Sequence, residues 1–137
     1  MGKIYALLSE SGGGKTTVER ILLKKMPELR QLISTTTRPM RNSESQGFPY
    51  HFTDDKDFEK RVMSGDMLEY VDYRTVDGIW RYGTSKEVNR LQLDKYNYIK
   101  VINPKGYKML KDSLGSETVY SIYLKTCGHI RLIRWLS

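Results

Sequence analysis

Four short apolar runs punctuate the chain: Ile4 to Leu8, Leu32 to Thr35, Tyr98 to Ile102 and Val119 to Leu124. Each has strand length and is followed by helix signals or by a long insertion, the pattern of strands buried on both faces. After the first run, Val18, Ile21, Leu22 and Met26 recur at helical spacing until Pro27, whose ring cannot continue a helix. After the third, Asn103 and Pro104 form a helix start, a side-chain cap ahead of a residue with preset φ. Tyr107, Leu110 and Leu114 then share one side until Gly115. Strands alternating with helices predict an α/β fold with a parallel sheet, whose ligands lie beyond the carboxyl ends of the strands.

Residues 36–83 break this rhythm. "FPYHFT" and "DMLEYVDYR" alternate with the period of a strand, "DDKDFEKRVMSG" reads as a capped helix ending at Gly65, and "TVDGIWRYG" holds an Asp-Gly turn signal. The expectation is a small α+β insertion in one domain whose core is 1–35 and 84–137. Thr84 should open a further helix as its cap, with Glu87 three residues on completing a capping box.

Length and composition narrow the picture. A chain of 137 residues suits a single domain, and 39% hydrophobic with 28% charged residues is a globular balance. No apolar stretch approaches the ~20 residues that cross a bilayer, and the first strand is too short for the apolar region of a signal peptide; the expected location is the cytoplasm. Cys127 is alone, which excludes an internal disulfide framework, and His51 and His129 are equally solitary, far from the three or four convergent donors of a zinc site. The net charge of +7 favours an anionic partner. Lys and Arg are spread along the chain, with concentrations at 38–41 and 131–134 rather than on one arm. A pocket for small anionic nucleotides explains those concentrations at least as well as nucleic acid does; neither a nucleic-acid nor a membrane partner is expected.

The strongest local chemistry is "SESGGGKTT", residues 9–17, between the first strand and the first helix. A phosphate cradle follows the pattern Gly, four residues, Gly, Lys, Ser or Thr. Gly14, Lys15 and Thr16 fill its second half; Ser9 stands where the first Gly should be. Gly12, Gly13 and Gly14, flanked by Ser11 and Thr17, give the backbone the freedom to turn several amides toward a β-phosphate. Lys15 would neutralise the β- and γ-phosphates, the Thr16 hydroxyl can reach a magnesium ion, and the helix aims its positive end at the anion.

The segment "STTTRPMRNSESQGFPYHF", Ser34 to Phe52, resembles the GMP-binding stretch of guanylate kinases. Together with the glycine loop, "MLEYVDY" and "RYGTS", the resemblance runs from residue 2 to the end. It implies a P-loop three-layer parallel sheet with an inserted GMP-binding α+β subdomain, and ATP-dependent phosphorylation of GMP or dGMP with Mg²⁺. By the same resemblance Ser34, Arg38, Arg41, Tyr50 and Tyr82 hold the monophosphate, Glu44 orients one of the arginines, and Glu69 and Thr84 read the guanine edge. Lys15, Arg41 and Arg134 are the implied catalytic groups. Taken singly, these arginines read as surface charges and the tyrosines as packed strand residues; their joint spacing carries the resemblance.

Two departures accompany it. Where the family usually has two aspartates ahead of a glycine, "IKVINPKG" offers Val101 and Asn103. "HIRLIRWLS" resembles the helix leading into the family's lid, but the lid and C-terminal helices have no counterpart here, so Trp135 and Leu136 are expected on an exposed helix that invites association. A second reading, from another class, is a guanylate-kinase-like protein-binding module without catalysis. Such modules have degraded glycine loops, whereas Lys15 and Thr16 are intact.

Overall fold

The computed structural model describes residues 2–9, 15–127 and 130–136, and for 9, 15, 16, 124–127 and 130–136 the backbone course alone. The elements in chain order are β1 (Ile4–Ser9), α1 (Lys15–Lys25), β2 (Leu29–Gln31), β3 (Thr35–Thr36), β4 (His51–Phe52), α2 (Asp55–Met63), β5 (Met67–Thr75), β6 (Gly78–Ser85), α3 (Lys86–Asn89), β7 (Asn97–Val101), α4 (Pro104–Leu114), β8 (Val119–Cys127) and β9 (Ile130–Leu136). They divide into two compact units, Met1–Leu32 with Gln92–Ser137, and Ile33–Leu91.

The first unit is built on a sheet of order β2-β7-β1-β8-β9. Its first four strands run parallel, and β9 returns antiparallel along β8. Ala6, Leu7 and Leu8 are all buried, so consecutive residues of β1 face covered surfaces on both sides. On one face Val18, Leu22 and Leu23 of α1 pack against Leu7, Leu29, Ile99 and Ile122. Removing such side chains from water contributes about 1.5–3 kcal/mol each. Ile21 and Met26, expected on this apolar stripe, are instead 47% and 39% exposed, while Glu19 is buried. The fourth helix, α4, starts as expected. Asn103 Oδ1 accepts from the Gly106 N–H at 2.7 Å, Pro104 occupies the first turn, and Gly115 closes the helix at φ +94°.

Two expectations for this unit are corrected. The expected strand at Leu32 to Thr35 is displaced: β2 is Leu29–Gln31, beside β7, and Thr35–Thr36 pairs in the other unit. Of residues 29–32 only Leu29 and Leu32 are buried, because an outer strand needs few apolar residues and an apolar run is no guide to it. Residues 130–136 are not a helix either. They form β9, with Trp135 opposite Ile122 and Arg134 opposite Tyr123, so Trp135 and Leu136 belong to a strand. Isoleucine and tryptophan favour extended backbone, and the edge of β8 offers the donors and acceptors a strand requires.

The second unit extends beyond the expected 36–83 at both ends. Its sheet has the order β4-β3-β6-β5, with β3 and β4 parallel and the other pairs antiparallel. Val76 and Asp77 alone link β5 to β6, and Gly78 follows at φ +114°, a backbone region open chiefly to glycine. Helix α2 is capped by Asp54, which accepts from the Asp57 N–H at 2.7 Å, and it buries Phe58 completely. Gly83 lets β6 approach that ring: a Cβ there would lie 2.9 Å from the Glu69 carbonyl oxygen and 3.1 Å from Phe58 Cζ.

Thr84 does not cap the following helix. Its neighbour Ser85 does, Oγ accepting from the Val88 N–H at 3.0 Å, because the Thr84 hydroxyl is engaged elsewhere. Arginines tie the periphery. Arg61 meets Asp57, Asp66 and Glu87 at 3.0, 3.1 and 3.1 Å, and Arg81 meets Glu59 and Asp72 at 2.7 and 2.9 Å while lying over the Phe58 ring.

Candidate functional site

The second unit gathers its polar side chains around Arg38, which follows β3 and is 5% exposed. Its backbone N–H donates to Thr36 Oγ1 at 3.1 Å, and that hydroxyl donates onward to the Arg81 carbonyl at 2.8 Å, so the main chain is fixed before the side chain leaves it. The guanidinium donates to Glu44 Oε2 at 2.8 Å and to the Pro39 carbonyl at 3.2 Å, and the Tyr82 phenol is near enough to act on its charge. It lies over the rings of Tyr50 and Phe52, 5.4 and 5.6 Å from their centroids. The fork has five N–H donors, so donors remain for an incoming anion.

Glu44 serves both arginines of the loop. Its Oε2 takes Arg38, and its Oε1 accepts from the Arg41 backbone N–H at 2.9 Å, leaving the Arg41 side chain exposed. The Arg38 hydrogen bond, followed by the Arg41 amide, holds the Glu44 carboxyl below its ordinary value, and Glu44 in turn raises the Arg38 guanidinium. Both are charged at neutral pH. Tyr50 stacks edge-on against Tyr82 and Phe52. Burial, more than any neighbour, pushes its phenol up, which keeps it an O–H donor. Ser34, just before β3, accepts at its carbonyl from the His51 N–H at 2.9 Å, and so stands beside the strand that Tyr50 enters.

A second polar pair lies in the β5–β6 hairpin. Glu69 and Thr84 face each other across the strands, and the Thr84 hydroxyl donates to Glu69 Oε1 at 2.8 Å. Glu69 is 6% exposed and Thr84 is fully buried. The pairing shifts register between Met67 and Glu69, and irregularities of this kind re-aim the side chains that follow them. Tyr82 lies two residues from Thr84 on the same strand, hence on the same face and about 7 Å away. A guanidinium–phenol set and a buried carboxylate–hydroxyl pair thus meet the same sheet.

Of the phosphate-loop residues, Ser11, Gly12, Gly13 and Gly14 lie outside the described residues, while Lys15 and Thr16 begin α1 and Thr17 is exposed in its first turn. Asn103 spends its side-chain oxygen capping α4. Among the described residues no group of three or more His, Cys, Asp or Glu could hold a metal, and no helix is long and apolar enough to cross a membrane.

Sequence reasoning missed Phe52, Thr36 and Glu19. Phe52 was legible in principle, since it alternates with Tyr50 and must share its side of the strand.

A family model described as guanylate kinase matches residues 1–131. Guanylate kinases of Rhodopseudomonas palustris and Neisseria meningitidis serogroup A are 36% and 40% identical over 86% and 82% of this chain. The matches cover 52% and 54% of those proteins, so the chain spans about half the length of these relatives. The crystal structure of guanylate kinase from Anaplasma phagocytophilum superposes with a TM-score of 0.67 at 28% identity, covering 89% of this chain and 58% of that one. With residues 1–131 inside the family model, and relatives 36% and 40% identical over most of the chain, the chain belongs to the guanylate kinase family.

Proposed function

We propose that the chain binds GMP or dGMP in its second unit and ATP at its glycine loop, and transfers the γ-phosphoryl group to the monophosphate. The observation that carries this reading is the pairing of Arg38 with Glu44, Tyr50 and Tyr82 on the same sheet as the buried Glu69–Thr84 pair. Arg38 and the exposed Arg41 would grip a phosphate dianion through charge-assisted hydrogen bonds, with the hydroxyls of Ser34, Tyr50 and Tyr82 completing the shell. Glu69 would accept from the N–H donors of guanine, an arrangement that adenine does not match.

Transfer itself asks little covalent chemistry of the protein; it asks that the two phosphates be held in line and their charge neutralised. Lys15 serves the donor phosphates, Arg41 the transferred group, and Arg134 is assigned the same task by resemblance. The Thr16 hydroxyl would help to hold a magnesium ion, which would supply charge neutralisation at the donor phosphates. One specific feature favours binding without turnover as a second reading: Asn103 is a helix cap where the family usually places an acid.

Calorimetric titration tests the first reading. GMP is expected to bind in preference to AMP, and equal binding of the two would discard the guanine assignment. A coupled assay for ADP release then separates kinase from module.

A further inference from the structure

A buried carboxylate on α1 takes no part in the sites above. Glu19 is 7% exposed, on the helix face that packs over the sheet. In a parallel sheet, amides alternate between the two neighbouring strands. At the end of β7, the Ile102 N–H donates to the Leu7 carbonyl of β1 at 3.1 Å, and on the opposite edge the Ile99 carbonyl accepts from the Leu32 N–H at 3.0 Å. Leu32 is the last residue of the chain beside that edge, since β2 ends at Gln31 and the first unit leaves off at Leu32. The next amide on that edge, Val101 N–H, lies past the end of β2. The Glu19 carboxylate is near enough to it for the amide to favour the charged carboxylate. Glu19 Oε1 accepts from Gln31 Nε2 at 3.0 Å, and the positive charge of Lys100, itself 5% exposed, acts on the same carboxylate.

An aliphatic side chain at position 19 would bury similar surface but leave Gln31 Nε2 without this acceptor and the Lys100 charge without its partner. What the carboxylate adds is direction. Apolar contacts between a helix and a sheet tolerate small rotations and slides, whereas a hydrogen bond to one strand and a charge contact with the next tolerate few. Glu19 stands one turn beyond Lys15 and Thr16 on the same helix.

We propose that Glu19 is a positioning residue for the donor nucleotide: by fastening the second turn of α1 to the carboxyl end of β7 and to Gln31, it sets where the helix presents Lys15 and Thr16 to the phosphates of ATP. The proposal rests on the ATP-site reading given above.

The test is calorimetric titration of the 137-residue chain and of Glu19→Ala, Glu19→Gln and Gln31→Ala with ATP, with GMP as the internal control and a thermal melt of each variant. Glu19→Ala weakens ATP binding about tenfold or more, the scale of loss from a small misplacement of binding groups, and leaves GMP affinity unchanged. Glu19→Gln keeps an oxygen for the Gln31 amide and restores ATP binding to within about threefold of the starting chain, a net hydrogen bond being worth about 0.5–1.5 kcal/mol. Gln31→Ala, at an exposed position, melts as the starting chain does and weakens ATP about threefold; it decides the matter should Glu19→Ala fail to fold. ATP affinity unchanged in the folded variants, or ATP and GMP affinity lost in equal proportion, overturns the proposal. A starting chain that binds GMP but not ATP overturns the donor site and this inference with it, and one that binds neither overturns the proposed function itself.

Discussion

Among the described residues, the buried apolar ones of the first unit are Ile4, Ala6, Leu7, Leu8, Leu29, Leu32, Tyr98, Ile99, Ile102, Leu110, Val119 and Ile122. In the second they are Phe58, Met67 and Leu68, and the surrounding structure is fastened by Arg38, Arg61 and Arg81 to carboxylates. Apolar burial is strong and non-directional; charged hydrogen bonds contribute less net free energy but fix angles. The first unit therefore supplies the larger share of stability. The second supplies the placement that a binding site requires.

That contrast can be broken experimentally. The largest effect is expected from Leu7→Ala, which removes a fully buried side chain from the first interior and should cost ~2–5 kcal/mol in denaturant unfolding. A loss under 1 kcal/mol would mean the sheet can collapse around the gap, and the apolar unit would not be the dominant one. Next comes Arg38→Ala, read in GMP affinity. A charged hydrogen bond contributes ~1.5–3 kcal/mol, so a loss of about ten- to a hundredfold is expected, and Arg38→Lys should not restore it because a single ammonium cannot hold Glu44, the Pro39 carbonyl and a phosphate in one plane. Unchanged affinity would detach Arg38 from the ligand and leave it a fastening residue like Arg61.

The smallest effect is a pH dependence confined to the second unit. Burial first, then the Arg61 charge, holds His51 below its ordinary 6.5, against the opposing pull of Asp57, and its Nδ1 lies 3.4 Å from Thr35 Oγ1. The folded state thus favours neutral imidazole. The stability this contributes is fully present above pH 6.5 and is lost as pH falls from there through the lowered folded value. Melting temperature measured between pH 7 and 5 should fall more steeply for the natural chain than for His51→Gln. Parallel curves would remove His51 from the account.

What could be read from the amino acids alone follows the same division between local and non-local physics. The start of α4 at Asn103-Pro104, its stop at Gly115 and the Asp54 cap of α2 were legible, because each is decided within a few residues. The strand at Leu29–Gln31 was not, since its membership of the sheet depends on β7 and not on its own composition. Ser85 displaced Thr84 as a cap through a competition with Glu69 that no window of sequence contains. Residues 130–136 carry an ambiguous pattern that the edge of β8 resolves toward a strand. For the candidate site, the family resemblance supplied residue roles, but the double use of Glu44, the rings beneath Arg38 and the acceptor role of Glu19 are facts of geometry. A glutamate on an apolar helix stripe reads as a solvated charge until the amide it serves is known.

The two-residue link between β5 and β6 has a practical corollary. Val76 at its tip is fully solvated, while Tyr73 near the same end stacks on Tyr82, which stacks on Tyr50. A fluorophore attached at residue 76 would displace no packed side chain and would sit at the outer end of an aromatic row that begins beside Arg38, giving an optical readout of ligand arrival from a place where chemical modification costs the fold little.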